Sequence, residues 1–284
     1  MTLPERLLDA GFAQVILLDA AECDVPACST VVLALWTYDA EAEPAPHGVW
    51  IHPYYFASQK AYMAASSIAK ELTADGVTLR DDILLKPIFA RLPGFTQGRN
   101  TLSSICGVGS RFHVQTLTMQ EALPPTYHLE DSPHPLRCGD CHRCEATCPT
   151  NALEGGIFHR ERCLRNWQMS GQLVPEHIRQ SMGNRLIGCD ECQRACPHNP
   201  AAEGSATEAI ALKALLVSPK ESAAKLRELI GANLAIPNRV LSQACLMAGC
   251  SGQKEFIPLL EPLVSHPSPT VAVHAQWALK QLQA

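Results

Sequence analysis

No run of about 18 consecutive apolar residues occurs in this 284-residue chain, so a membrane-spanning helix is not expected. The opening "MTLPERLLDAGFAQVILLD" lacks a basic segment followed by an uninterrupted apolar run, and no secretory leader is expected. Charge is modest: 18% of residues are charged against 46% hydrophobic, ordinary proportions for a soluble globular protein. Nor is there a strongly basic block. Residues 1–135 carry 8 basic and 15 acidic side chains, 136–200 carry 8 and 7, and 201–284 carry 7 and 6. The net charge of −5 thus comes from the first half, and nothing in these totals announces nucleic acid, although a local patch can hide within a neutral sum. The setting expected is cytoplasmic and reducing, where clustered cysteines read as metal ligands rather than disulfides.

Cysteine is what the chain has in quantity, with 13 residues that are bunched rather than scattered. Cys138, Cys141, Cys144 and Cys148 form CxxCxxCxxxC, with Pro149 directly after. That run is the bacterial ferredoxin pattern for 4Fe-4S clusters, in which the fourth cysteine, followed by Pro, ligates the other cluster of a pair. The second set mirrors it. Cys189, Cys192 and Cys196 give CxxCxxxC before Pro197, and Cys163 stands upstream as the remaining ligand. Reciprocity then assigns Cys138, Cys141, Cys144 and Cys196 to one 4Fe-4S cluster, and Cys148, Cys163, Cys189 and Cys192 to the second. A zinc site typically uses pairs of ligands, and would leave the triple run and the repeated Cys-Pro unexplained. Cys23, Cys28, Cys106, Cys245 and Cys250 show no ligand spacing; Cys245 falls on an apolar helix face and reads as core. His142 and His198 lie inside the cluster loops, where their N–H groups could donate to sulfur and tune potential.

Around this segment, "FAQVILLD" (12–19) and "TVVLALW" (30–36) read as buried strands, "AYMAASSIAKEL" (61–72) as a helix stopped near Gly76, and "SRFHVQTLTM" (110–119) as another strand. The expected architecture is α+β: an N-terminal domain over 1–125, of α/β type or itself α+β, a Pro-rich acidic linker over 126–135, a ferredoxin-like double-cluster domain over 136–200, and helices over 201–284. In the last part, 238–249 and 271–282 align at a spacing of 33, pairing Val240 with Val273, Gln243 with Gln276 and Leu246 with Leu279. A helical-hairpin, HEAT-like repeat fits that spacing. A small helical bundle remains the plainer alternative.

The pairing of CxxCxxCxxxCPTxA with the distal "GNRLIGCDECQRACPHN", followed by helical-repeat residues, resembles the epoxyqueuosine reductase family. "GFTQGRNTL" and "GVGSRFHVQTLTM" resemble that family's Gly-x-Asn-Thr turn and the strand after it. The resemblance covers residues 75–284, and 11–75 more loosely, and marks a shortened or divergent member. It implies a cobalamin-dependent iron–sulfur oxidoreductase, with an N-terminal α/β domain of corrinoid-binding type, that reduces epoxyqueuosine to queuosine in tRNA by electrons relayed through two 4Fe-4S clusters. Gly98, Asn100, Thr101, Cys189 and Asp190 would then approach the corrinoid, and Asp81, with Asp82 as alternative, would be the proton donor in "LRDDILLKP". Two solvated loop aspartates are the plainer reading of that pair. The resemblance further implies tRNA, through its anticodon region, and a low-potential electron donor such as flavodoxin or ferredoxin as partners of a monomer. Two features depart from the family: its Asp-Tyr-His triplet is absent from "PYYFASQKAYMAA", and Arg165-Asn166 replace the Ser-Tyr after the lone cysteine. Two alternatives therefore stay open: a corrinoid iron–sulfur reductase of a small molecule, or a two-cluster electron-transfer module without cobalamin.

Overall fold

The apolar run "TVVLALW" becomes the strand Thr30–Thr37, an inner strand of a four-stranded sheet. The computed structural model describes residues 1–39, 49–201 and 210–284. The chain divides into two compact units, each assembled from separate stretches. Met1–Ala40, Phe56–His142 and Cys196–Ala201 make the first; Glu41–Tyr55, Arg143–Ala195 and Ala202–Ala284 make the second.

In the first unit the strand order is Gln14–Asp19, Thr30–Thr37, Phe112–Met119, Thr78–Arg80, and every pairing is antiparallel. Of the two arrangements open for this part, α/β or α+β, the antiparallel pairing is of the α+β kind: no parallel crossover is present among these strands. Side chains alternate across Thr30–Thr37. Val32 and Ala34 face a core with Leu3, Leu7, Ala61, Ala65 and Ile68, while Val31, Leu33 and Leu35 face a second core with Ile88, Phe89, Leu92 and Phe95. Burial on both faces explains why this strand reads as continuous rather than alternating apolar sequence. Each fully buried Leu or Ile here contributes roughly 1.5–3 kcal/mol.

The helix expected over 61–72 runs over Pro53–Glu71 instead, opening on a proline whose fixed φ suits a first turn. Gly76, at φ +76°, closes the short 3₁₀ turn Thr73–Asp75 after it. An N-terminal helix, Leu3–Asp9, was not legible as a helix although it carries a capping box: the Thr2 hydroxyl accepts from the Glu5 N–H, and the Glu5 carboxylate accepts from the Thr2 N–H. The 126–135 stretch has no regular structure, yet it is fastened down. The Thr126 N–H donates to the Leu17 carbonyl at 2.9 Å, the Leu129 N–H to the Glu22 carboxylate at 2.7 Å, and the His134 N–H to the Ala90 carbonyl at 2.7 Å.

In the second unit, Trp50–Ile51 pairs in parallel with Arg185–Ile187. The helices Leu212–Val217, Pro219–Ile230, Pro237–Ser251, Ile257–Leu260 and Pro269–Gln283 follow. Pro237–Ser251 packs on Pro269–Gln283, and a Cβ at Gly249 would stand 2.7 Å from the Trp277 ring and 2.8 Å from Ala278 Cα. The spacing of 33 does not carry burial with it: Val240, Gln243 and Leu246 are buried, Val273 and Leu279 half-buried, and Gln276 exposed.

Candidate metal centre

Cysteines 144, 148, 163, 189 and 192 all belong to the second unit. Cys144 is buried on the short helix Arg143–Ala146, and Cys192 lies on Glu191–Arg194. Cys163 sits immediately before Leu164–Trp167, and Cys148 Sγ accepts the Ala152 N–H at 3.2 Å. Burial pushes the Cys192 thiol far up, and so, next in order, do the negative charges that Cys189, Cys163, Cys144 and Cys148 would carry. Burial likewise raises Cys163, against the opposing Arg165 and Asn166 backbone, and lifts Cys189 to about 11. The sulfurs are therefore close enough to oppose one another's ionisation. Thiols so raised stay protonated unless a metal takes the proton's place, as it would in a metal–sulfur centre. Among the described residues, no three His, Cys, Asp or Glu groups close around a single ion.

Cys138, Cys141 and Cys196 belong to the first unit. The second Cys-Pro run is tied there by residues just past it: Asn199 Oδ1 accepts from the Ser110 N–H at 2.7 Å, and Arg111 donates to the Pro200 carbonyl at 2.7 Å. Gly109, at φ +77°, lets that segment approach, since a Cβ would collide with Asn199. These bonds explain why the strand expected from 110 begins at Phe112.

The turn Gly98–Thr101 joins the hairpin strands Phe95–Gln97 and Ser103–Ile105. The Thr101 N–H donates to the Gly98 carbonyl and the Gly98 N–H to the Leu102 carbonyl, both at 2.9 Å. Asn100 is buried, its Oδ1 accepting from the Leu102 N–H at 3.3 Å, and Thr101 adopts a left-handed φ of +63°. Asp81 and Asp82 are both exposed in the loop before the helix Leu85–Arg91. Asp82 is gripped by Arg80 through two bonds of 2.7 and 2.8 Å, which hold its carboxyl below the usual carboxylate range. In the second unit Asp190 is buried, with Arg194 3.7 Å away.

Three residues stand out that sequence reasoning did not single out for a role. Arg99 N–H donates to Cys138 Sγ at 3.1 Å. Arg165 donates to the Tyr55 hydroxyl, and its guanidinium stands 5.2 Å from the Tyr55 ring centroid, placing a cation two residues from Cys163. His52 accepts the Tyr54 N–H on Nδ1 at 3.0 Å, leaving Nε2–H to donate to Gln193 Oε1 at 2.9 Å. The sequence signals were, for Arg99, its position within "QGRNT" and, for Arg165, its standing where the resembled family carries a serine.

Residues 137–199 match the family described as a 4Fe-4S double cluster binding domain. Epoxyqueuosine reductase of Aliivibrio fischeri is 36% identical over 123 residues, 43% of this chain and 32% of that protein. The aligned chain thus spans about a third of that relative's length. Among solved structures, an epoxyqueuosine reductase with an epoxyqueuosine-modified tRNA-Tyr stem loop superposes with a TM-score of 0.76 at 17% identity, over 99% of this chain and 89% of the other. The enzyme from Streptococcus thermophilus gives 0.74 at 18% identity, over 99% and 90%. Likeness at those identities establishes a shared fold. No helix among the described residues is long and apolar enough to cross a membrane.

Proposed function

We propose that this chain is a member of the epoxyqueuosine reductase family and removes the epoxide oxygen of epoxyqueuosine in tRNA to leave queuosine, a reading supported by the double-cluster match and the likeness to those reductases. The observation that carries this reading is the gathering of Cys148, Cys163, Cys189 and Cys192 within one unit, inside a segment that matches a double-cluster domain. Their soft, half-buried sulfurs would suit a 4Fe-4S cluster; Cys138, Cys141, Cys144 and Cys196 would hold another. Loss of the epoxide oxygen as water consumes an electron pair and protons. Clusters deliver electrons singly, from a low-potential donor of the flavodoxin or ferredoxin kind. Cobalamin, when bound, supplies a low-valent cobalt nucleophile of the strength that an unactivated C–O bond demands.

The chain's own part is positioning and proton supply. In the Gly98–Thr101 turn the Arg99 side chain is engaged with Gly139 and Cys141, and Gly98, Asn100 and Thr101 are short, which suits close approach of a large planar cofactor; Cys189 and Asp190 would meet the same cofactor. Asp81 is assigned the proton-donor role, because Asp82 is tied up by its two bonds to Arg80. In this reading residues 1–125 bind cofactor and substrate, 136–200 carry the clusters, and the helices of 201–284, HEAT-like in spacing, contribute to holding the tRNA anticodon region. The Tyr55–Arg165 pair favours a second reading, a corrinoid reductase of a small molecule, since it fills a place where the family carries other residues.

The test uses the full chain, reconstituted anaerobically and supplied with cobalamin and a low-potential reductant. Epoxyqueuosine-containing tRNA should be converted, as read by nucleoside mass analysis, and Asp81→Asn should slow conversion by about 10²-fold or more while Asp82→Asn does not. Unchanged nucleoside, with cobalamin retained and no tRNA affinity, would establish the small-molecule reading instead.

A further inference from the structure

We infer that Arg99 is a positioning residue that fixes the Cys138–Cys141 loop and raises the reduction potential of the cluster bound there. The inference rests on the reading above that Cys138 and Cys141 are cluster ligands. Three donors from this one residue reach three positions of the loop, Cys138, Gly139 and Cys141. The backbone N–H meets Cys138 Sγ at 3.1 Å, guanidinium Nη2 meets the Gly139 carbonyl at 2.9 Å, and Nε meets the Cys141 carbonyl at 3.2 Å.

Local structure explains how the residue 99 N–H comes to meet the sulfur. The Thr101 N–H closes a turn onto the Gly98 carbonyl, and the second residue of such a turn has no partner for its own N–H inside it. That N–H therefore points outward, at the sulfur. The planar guanidinium fork can satisfy two carbonyls at once, which an ammonium on a flexible stem does less well. Gly139, at φ +48°, takes a left-handed conformation open to glycine, and this turns its carbonyl to the fork.

The polarity of the contacts gives the electronic consequence. Reduction adds negative charge to a cluster, and every group Arg99 offers is a donor or a cation. The N–H bond to sulfur stabilises the reduced state, as does the guanidinium charge, and the fork also offsets two carbonyl dipoles beside the ligands. A side chain that only braced the loop would leave the potential alone.

Proline is well accepted at the second position of a turn and has no N–H, so Arg99→Pro removes all three donors while preserving the turn; Arg99→Ala removes the fork alone. In the reconstituted full chain, both cluster potentials are read by redox titration followed by electron paramagnetic resonance. Arg99→Ala should lower the reduction equilibrium of one cluster about tenfold, roughly 59 mV for one electron, and Arg99→Pro should lower it further. The cluster held by Cys148, Cys163, Cys189 and Cys192 should stay at its wild-type value. Wild-type potentials at both clusters in a fully iron-loaded Arg99→Pro chain would overturn the inference; if that variant does not fold, unshifted potentials in Arg99→Ala overturn it equally. A wild-type chain that takes up no 4Fe-4S cluster defeats the functional reading itself, and shows this before any variant is made.

Discussion

Cys163 is separated from its nearest cysteine partners by 15 residues on one side and 26 on the other, so its role depends on the folded chain rather than on a local run. In the structure it lies among the sulfurs whose charges raise Cys192, with Arg165 and the short helix Leu164–Trp167 beside it. Removing it should open one cluster and spare the other. Cys163→Ala is expected to hold about half the iron of the wild type by colorimetric iron analysis. Cys106→Ala, at an exposed thiol without ligand spacing, should hold all of it. An undiminished iron content in Cys163→Ala would remove Cys163 from the ligand set. The dense cysteine runs were readable because neighbouring ligands on one loop are constrained by covalent spacing alone. Arg99 was not, because its partner is 39 positions further on, and a backbone N–H leaves no mark on residue identity.

Between the helices Pro237–Ser251 and Pro269–Gln283, His274 is a buried joint. Its Nε2 accepts the Val174 N–H at 3.2 Å, so Nδ1 carries the proton and donates to Ser242 Oγ at 2.8 Å. The imidazole is thus not poised as a base for that serine. Burial pushes His274 down to about 4, with the Arg179 charge adding to it. A group lowered from about 6.5 in the unfolded chain favours folding in its neutral form. Its contribution is complete above pH 6.5 and is lost as pH falls toward 4. Urea unfolding should therefore show a loss of about 2 kcal/mol from this residue between pH 7 and pH 5, and His274→Gln should flatten that dependence. An equal pH dependence in both proteins would assign the acid sensitivity elsewhere. At this scale the long apolar strands were legible because both their faces are core. Thr78–Arg80 and Leu85–Arg91 were not. Elements so short take their definition from pairing with Phe112–Met119 and packing under the sheet, not from their own periodicity.

Each unit is stitched from separated segments, and the chain passes between them within the first cysteine run, at His142–Arg143, and again at Ala195–Cys196. A contiguous domain over 136–200 was the natural expectation from motif position, but compactness depends on contacts such as Ser110 with Asn199, 89 residues apart, which composition does not reveal. Because Cys196 returns to the first unit while Cys189 and Cys192 stay in the second, cutting the chain at motif boundaries would separate ligands proposed for one cluster from the stretches that hold them. Cofactor loading is accordingly a property to measure on the full chain. After anaerobic reconstitution, incubation with cobalamin and desalting, its absorption spectrum should show corrinoid bands on top of broad cluster absorbance. Substituting the turn at Asn100→Ala should weaken retention of those bands and leave the cluster absorbance in place, since Asn100 Oδ1 accepts from the Leu102 N–H within the turn and is not among the proposed cluster ligands. Broad cluster absorbance alone in the wild type would leave an electron-transfer module in place of a reductase.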